Sequence, residues 1–331
     1  MAKKKNIFNK ANIIENIGIV VLFFPFRWIV QALSWGLALK MAEIIANIHY
    51  LLPTPFKRQI YSGISTIFLD MPAKEIKEIV RLNLVARYYD LVIMFLAHRL
   101  DPKSTLKEVP YFEGEEHLKW AIKQESGIIL LGSHLGNLGL LICALGYRGY
   151  DITQYLVLSA RASVISPMWL RNAVLKIKIK CHSAAPSNFI YHKQNSSIRP
   201  VYDSLRDKSI FILIGDGVLG KRFTDVDFIG YRMQFSLGPA IIASKTESTL
   251  LPIFIIRQKD GRHRVIIKKP IIVKRDDSVS IRAAVSEYAN HLERYVIQYP
   301  DQWLVWPRLN LVKEGEKEYI KLKALSEEAM I

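Results

Sequence analysis

The amino-acid sequence predicts an α/β fold, a mixed central sheet flanked by helices, preceded by a helical segment that associates with a membrane. Two observations carry this. Short apolar runs bracketed by glycines, Ile128 to Leu131 and Ile210 to Ile214, alternate with longer stretches that read as helices. Runs of that length suit strands buried on both faces, and their alternation with helices is the pattern of layered α/β domains. Ahead of them, a lysine-rich start leads into a long apolar region.

Composition narrows the class. The 331 residues suffice for one large domain or two small ones, with a sizeable core. Half the chain is hydrophobic and mean hydropathy is +0.12, while 46 Lys and Arg against 30 Asp and Glu leave a formal charge of +16. A basic, apolar chain suits an anionic membrane surface or an acidic protein partner. It shows no zinc-ligand spacing, RNP-like aromatic motif or basic heptad region, so nucleic acid is not an expected partner. Two cysteines, Cys143 and Cys181, argue against a disulfide framework and for a reducing compartment. The eight histidines are scattered, so no metal and no cofactor is expected.

Lys3, Lys4, Lys5 and Lys10 open the chain, and IGIVVLFFPF runs from Ile17 to Phe26. Arg27 interrupts, Trp28 to Leu39 is again mostly apolar, and Met41 to Ile48 follows Lys40. A spanning helix needs about 20 apolar residues, and Pro25 with Arg27 spoils that length. No small-residue cleavage site follows cleanly, against a secretory signal. The expected form is a membrane-seated helix or hairpin over residues 1–52, partly inserted, with Trp28 and Trp35 near the interface. A single span stays open, with the lysines then keeping the N-terminus cytoplasmic. The plainer alternative is an amphipathic helix buried in the globular fold.

Residues 53–312 form the predicted α/β domain and residues 313–331 a charged, peripheral tail. Pro53 and Pro55 break the chain, and Asp70-Met-Pro72 reads as a helix start. The helix continues from Lys74 to Leu100, with Ile76, Ile79, Val80, Asn83, Leu84, Arg87, Tyr88 and Leu91 along one stripe and two polar interruptions in it. Asp90 stands among apolar residues; internal pairing stays open, and solvation is the simpler reading, as for most single acidic residues on helices. Asp101-Pro102 ends the helix.

The run Ile128 to Leu131 ends in a polar turn, Ser133 to Asn137, before the apolar helix Leu138 to Leu145. In open α/β sheets ligands bind at such carboxyl strand ends. His134 lies in this turn among Gly132, Gly136 and Gly139, where a substrate can approach the backbone. A lone His more often caps a helix or bonds a carbonyl, and its place at a strand end favours function. Ile210 to Ile214 ends in a second such turn, Gly215-Asp216-Gly217, so parallel pairing of the two strands would bring Asp216 and His134 to one sheet edge. Between these turns, Ile152 to Leu158 reads as a strand, Pro167 to Ile179 as a helix with a basic end, Asn195 to Arg199 as a loop and Val201 to Arg206 as a helical turn. Phe235 to Thr246 reads as a turn and helix, Leu250 to Arg257 as a strand, Gly261 as a hairpin into Arg264 to Lys268, and Val279 to Tyr299 as a last helix stopped by Pro300.

Three segments together resemble the bacterial lipid A late acyltransferases, with their lysophospholipid acyltransferase-like fold. They are GSHLGNLGLL around His134; IGDG at 214–217 through DFIGYRMQFSLGPAIIASKTESTLLPIF; and YPDQWLVW at 299–306. Their order and spacing cover nearly the whole chain. The resemblance implies an enzyme on the cytoplasmic face of the bacterial inner membrane. It would take an acyl group from an acyl-carrier-protein thioester and place it on a hydroxyl of a lipid acceptor such as a lipid A precursor. It also implies His134 as the base, Arg161 and the basic group Lys176, Lys178 and Lys180 as contacts to lipid phosphates or the acidic donor, and Asn137 as a residue holding the turn.

One departure is plain. The family pairs its His with an acid five positions on, and here that position is Gly139. Three accounts stay open. The acid comes from elsewhere, with Asp216 the best candidate; the fold has taken other chemistry, such as aminoacyl (glycyl-type) transfer to lipid; or the site is inactive and the chain binds lipid without turning it over. Ser133 beside His134 lacks the Gly-x-Ser-x-Gly elbow of a serine hydrolase, Gly215-Asp216-Gly217 lacks a Walker lysine, and Cys143 lies inside an apolar helix where a thiol is inert.

Overall fold

A computed structural model describes residues 10–157, 168–192, 197–217, 222–314 and 317–322. The N-terminal region is a bent chain of helices: α1 (Lys10–Val21), a π-turn (Leu22–Phe26), α2 (Arg27–Ala32), α3 (Trp35–Leu51) and α4 (Pro55–Ile67). Pro25 lies within the π-turn, where its missing N–H loosens the backbone ladder. The Arg27 Nε takes up the Phe23 carbonyl at 2.9 Å. Among the described residues no helix is long and apolar enough to cross a membrane.

These helices pack on α5 (Ala73–Leu96), which begins directly after Pro72. Ala38, Ala42 and Ala46 recur every fourth residue on α3 and are fully buried. Such small side chains let helix backbones approach closely. The opposite side of the region is also apolar but uncovered: Ile17, Trp28, Ile29, Leu37, Ile44 and Leu51 are all exposed. Inside, Phe23, Val30, Val92, Phe95 and Leu96 share one cluster with Leu170 and Val174. The region is therefore built into the fold rather than tethered to it. Asp101 does more than end α5. It also starts α6 (Pro102–Glu108), accepting the Ser104 N–H at 2.7 Å while the Ser104 hydroxyl accepts the Asp101 N–H at 2.9 Å.

The main sheet is built from seven strands: β1 (Tyr111–Glu113), β2 (Ile128–Gly132), β3 (Ile152–Val157), β4 (Asn188–His192), β5 (Ile210–Ile214), β8 (Thr249–Arg257) and β9 (His263–Ile267). Their order across the sheet is β1-β9-β8-β2-β5-β3-β4. β8, β2, β5, β3 and β4 run parallel, and β9 is antiparallel to β8 across the Gly261 turn, so the sheet is mixed as predicted. Alternate residues feed opposite layers, as strand geometry requires. Ile128 and Leu130 face α8 (Leu138–Tyr147), whereas Ile129 and Leu131 face Phe254 and Tyr288, the latter on α12 (Ser278–Gln298). Burying each such side chain contributes about 1.5–3 kcal/mol.

A second sheet goes beyond the sequence-based expectation. It comprises β6 (Phe223–Phe228), β7 (Tyr231–Ser236), β10 (Leu309–Glu314) and β11 (Lys317–Leu322), in the order β10-β11-β7-β6. β7 takes the start of the stretch expected as turn and helix, and α11 (Gly238–Thr246) follows. Within the tail expected to be peripheral from residue 313, the described residues join this sheet, and residues 323–331 lie outside the described ones. β11 pairs with both β10 and β7, and Ile320 is fully buried. Between the sheets' connections lie α7 (Glu115–Lys123), α9 (Met168–His182) and α10 (Arg199–Arg206).

Candidate active site

β2 and β5 pair in parallel with Gly132 opposite Ile214, so the turns after them emerge side by side at the carboxyl edge of the sheet. Asp216 and His134 meet there. The His134 Nδ1 lies 2.8 Å from the Asp216 Oδ1, and the same carboxylate accepts the backbone N–H of His134, at 2.9 Å to its Oδ2. The indole N–H of Trp303 donates to the Asp216 Oδ2 at 2.9 Å. The carboxylate is buried, while the imidazole keeps 39 % of its surface and engages the acid through Nδ1. Burial alone would push the Asp216 carboxyl up. The charge of the imidazole and the hydrogen bonds from the ring, the indole and the His134 backbone outweigh it, and hold the acid below the usual carboxylate range.

The loop that delivers His134 is clamped along its length. Gly136 has φ +69°, and a Cβ there would collide with the Ile255 carbonyl of β8, so the turn needs glycine. The Gly136 N–H donates to the Gln302 carbonyl at 3.0 Å, and the Leu304 N–H donates to the His134 carbonyl at 2.8 Å. Asn137 caps α8, its Oδ1 accepting the Leu140 N–H at 2.6 Å. The cap holds the Leu140 N–H, and the N–H groups of Leu138 and Gly139 ahead of it have no intrahelical acceptor.

α5 holds the opposite side of this clamp. The Asn83 amide donates to the carbonyls of Asp301 and Trp303, each at 2.9 Å. Arg87 donates its Nε to Asn83 at 3.0 Å and its Nη2 to the Leu304 carbonyl at 2.6 Å, with its guanidinium over the Phe56 ring. Burial pulls Arg87 down to about 9, against the raising effect of Asp90. The two polar interruptions in the apolar stripe of α5 are therefore Asn83 and Arg87. That interruption is the sequence signal for the clamp, although nothing in it names the partner. Trp303 lies within the family-like segment YPDQWLVW, but its bond to Asp216 is not readable there. A neighbouring close approach reinforces the loop: a Cβ at Gly63 of α4 would collide with the Trp306 carbonyl.

The predicted basic group divides. Residues two apart on a helix point to opposite sides, so Lys176 and Lys180 share one exposed face of α9 while Lys178 turns inward. Lys178 lies 5.8 Å from the Phe23 ring centroid and feels the charge of Asp90. The three lysines thus do not form one patch. Asp90, expected to be solvated, is half-buried near His134, Arg87 and Lys178. Arg161 lies outside the described residues. Gly139, five positions on from His134, is lined loosely: a Cβ there would meet the Asn137 Oδ1, at 3.6 Å. Both cysteines are free, and burial pushes the Cys143 thiol up to about 12, consistent with an inert sulfur. Among the described residues no cluster of His, Cys, Asp or Glu could hold a metal ion.

The profile of the bacterial lipid A biosynthesis acyltransferases matches residues 6–309. The chain belongs to that family. Compared with curated proteins it finds no match. Membership points to an acyltransferase acting on lipid.

Proposed function

We propose that this family member is a membrane-associated acyltransferase of the bacterial inner membrane, working at the cytoplasmic face. It moves an acyl group from an acyl-carrier-protein thioester to a hydroxyl of an envelope glycolipid such as a lipid A precursor. The observation that carries the reading is the 2.8 Å contact between the His134 Nδ1 and Asp216. With Nδ1–H donated to the carboxylate, Nε2 of the part-exposed ring is the nitrogen left to act as base. It takes the proton of the acceptor hydroxyl as that oxygen attacks the thioester carbonyl. The N–H groups of Leu138 and Gly139, ahead of the capped Leu140 N–H, suit the oxyanion of the tetrahedral intermediate. Collapse expels the carrier thiolate, which takes the proton back from His134 and leaves the ester on the lipid. Asp216 thus fills the role that position 139 has lost.

Two further observations support the setting. The exposed apolar side chains Ile17, Trp28, Ile29, Leu37, Ile44, Ile48 and Leu51 are concentrated on α1 to α3, with Met168 and Trp169 exposed at the start of α9. An apolar surface of that kind suits the acyl region of a bilayer. The net charge of +16 suits anionic headgroups and an acidic carrier protein. The test is transfer of a radiolabelled acyl chain from acyl carrier protein to a lipid A precursor by the purified protein in detergent, with lipid mass spectrometry of cells that have or lack the gene. Wild-type transfer abolished in His134→Ala supports the reading, and transfer that survives His134→Ala overturns it.

A further inference from the structure

Tyr288 of α12 lies under the point where the two site turns leave the sheet. Its hydroxyl donates to the Gly132 carbonyl at 2.6 Å, and the Gly215 N–H donates to the same oxygen at 2.9 Å. Gly132 ends β2 and leads through Ser133 to His134, while Gly215 follows β5 and leads directly to Asp216. The Gly132 oxygen therefore joins the two turns immediately before they diverge into the base and the acid. A Cβ at Gly215 would collide with the Tyr288 ring, so the backbone of the second turn rests on the phenol itself. The ring is held in its turn. It stacks on Phe254 of β8 with centroids 6.2 Å apart and meets Phe235 of β7 edge-on at 6.5 Å, and all three side chains are buried. Burial and the Asp216 charge hold the phenol well above its usual range, so it stays a hydrogen donor at working pH.

We propose that Tyr288 is a positioning residue for the His134–Asp216 pair. Its hydroxyl fixes the Gly132 carbonyl and its ring fixes Gly215, so that the two turns deliver Nδ1 and the carboxylate at hydrogen-bond distance. Without the hydroxyl the Gly132 carbonyl still accepts the Gly215 N–H, so it is not left unsatisfied and little stability is lost. What goes is the second anchor on that carbonyl. The peptide between Gly132 and Ser133 can then rock, and His134 is carried on its far side. A base misplaced by about 1 Å can cost about 10²-fold in rate, whereas substrate binding does not pass through this contact. Loss of the hydroxyl should thus appear in kcat and leave KM and folding nearly untouched. The brace rests on the acyltransferase reading for its effect on rate alone, since the pair it holds is visible without substrate.

The test uses Tyr288→Phe together with replacement of Tyr288 by p-aminophenylalanine, which restores an N–H donor where the hydroxyl was. One readout needs no substrate. In the full-length protein with isotope-labelled histidine, an Nδ1–H shared with a carboxylate resonates far downfield of the backbone amides, and its loss in Asp216→Asn assigns it to His134. Tyr288→Phe should broaden or shift that resonance and lower kcat for acyl transfer from acyl carrier protein to a lipid A precursor by about 10- to 100-fold, with KM near wild type. The p-aminophenylalanine protein should recover both. Val265→Ala, a core substitution in the layer on the other side of the sheet, should lower thermal stability at least as much and leave the resonance and kcat as they were. A folded Tyr288→Phe protein with wild-type resonance and kcat overturns the brace, and so does a loss that p-aminophenylalanine fails to restore. A resonance lost in Tyr288→Phe and regained with p-aminophenylalanine, in a protein whose wild type transfers no acyl group, would support the brace and overturn the acyltransferase reading.

Discussion

Replacing Asp216 by Asn keeps the side-chain volume and takes away one acceptor oxygen. The carboxylate accepts from three donors: the His134 ring, the His134 backbone N–H and the Trp303 indole. An amide has one oxygen for them. If its oxygen stays toward Trp303 and the backbone, its NH2 faces Nδ1. The imidazole must then accept at Nδ1 and carry its proton on Nε2, where it cannot serve as base. If its oxygen stays toward Nδ1, it also keeps the His134 backbone N–H, 3.1 Å from that position, and the buried Trp303 indole N–H faces an NH2. A group left unsatisfied costs about 1–3 kcal/mol, so the second arrangement is worse by about that much and the wrong tautomer wins. Loss of the orienting acid in a serine-protease triad lowers kcat by about 10⁴ through the same tautomer change, and a fall of about 10³–10⁴ is expected here. The assay is acyl transfer from acyl carrier protein to a lipid A precursor in detergent, with thermal unfolding of the same preparation as the control for folding. A folded Asp216→Asn protein that transfers at a rate near wild type would refute the assignment of Asp216 as the orienting acid.

Four further outcomes are expected from the same contacts. Trp303→Phe removes the indole donor and leaves Asp216 with the two His134 contacts alone, so the transfer rate should fall and its acid limb should move to higher pH; an unchanged pH–rate profile would show that the indole does not act through the acid. Gly139→Glu should leave the transfer rate near wild type, because the space is open and the acid's role is already filled, and a large gain in rate would show that Asp216 fills it poorly. Asp90 ionises at about 6 in the fold against about 4 in the unfolded chain, so the unfolded state binds fewer protons in that window and Asp90 costs stability as pH rises through it; Asp90→Asn should match wild type at pH 4 and exceed it by about 2–3 kcal/mol at pH 8 in denaturant unfolding. The combined substitutions Trp28→Gln, Leu37→Gln and Ile44→Gln, all on exposed apolar positions, should release the protein from anionic vesicles in flotation assays without unfolding it.

Legibility in the sequence depends on distance along the chain. β2, β5 and β8 are readable because each is a continuous apolar run buried on both sides, and the parallel pairing of β2 with β5 then places His134 and Asp216 on one edge. The β6–β7 hairpin escapes a sequence reading because FTDVDF alternates polar and apolar residues around acidic ones, and only its cross-strand partners give it a buried face. β11 is hidden for a similar reason. KEYIKL reads as charged tail until β10 and β7 border it. The lysines at 176, 178 and 180 form one group by spacing, and the helix separates them because a two-residue step turns a side chain to the far side. Trp303 is out of reach, since its meaning lies in Asp216, a residue 87 positions away.

α5 ties the core, the N-terminal helices and the site to one another. Its N-terminal half contributes Ile76, Val80 and Leu84 to the main core, and its C-terminal half contributes Val92, Phe95 and Leu96 to the cluster shared with the N-terminal helices. Between those halves its polar residues, Asn83, Arg87 and Asp90, all turn toward the His134 side. Asn83 and Arg87 fix the carbonyls of the 301–304 loop, and that loop in turn fixes the His134 carbonyl and the Asp216 carboxylate. An error at α5 would therefore reach the base through two hydrogen bonds. The same helix carries the packing surface of α3, so deleting the N-terminal helices would strip Val92, Phe95 and Leu96 of their cover. A deletion of residues 1–48 would then damage the site whatever it did to membrane binding, which is why exposed-face substitutions are the cleaner test of the proposed membrane contact.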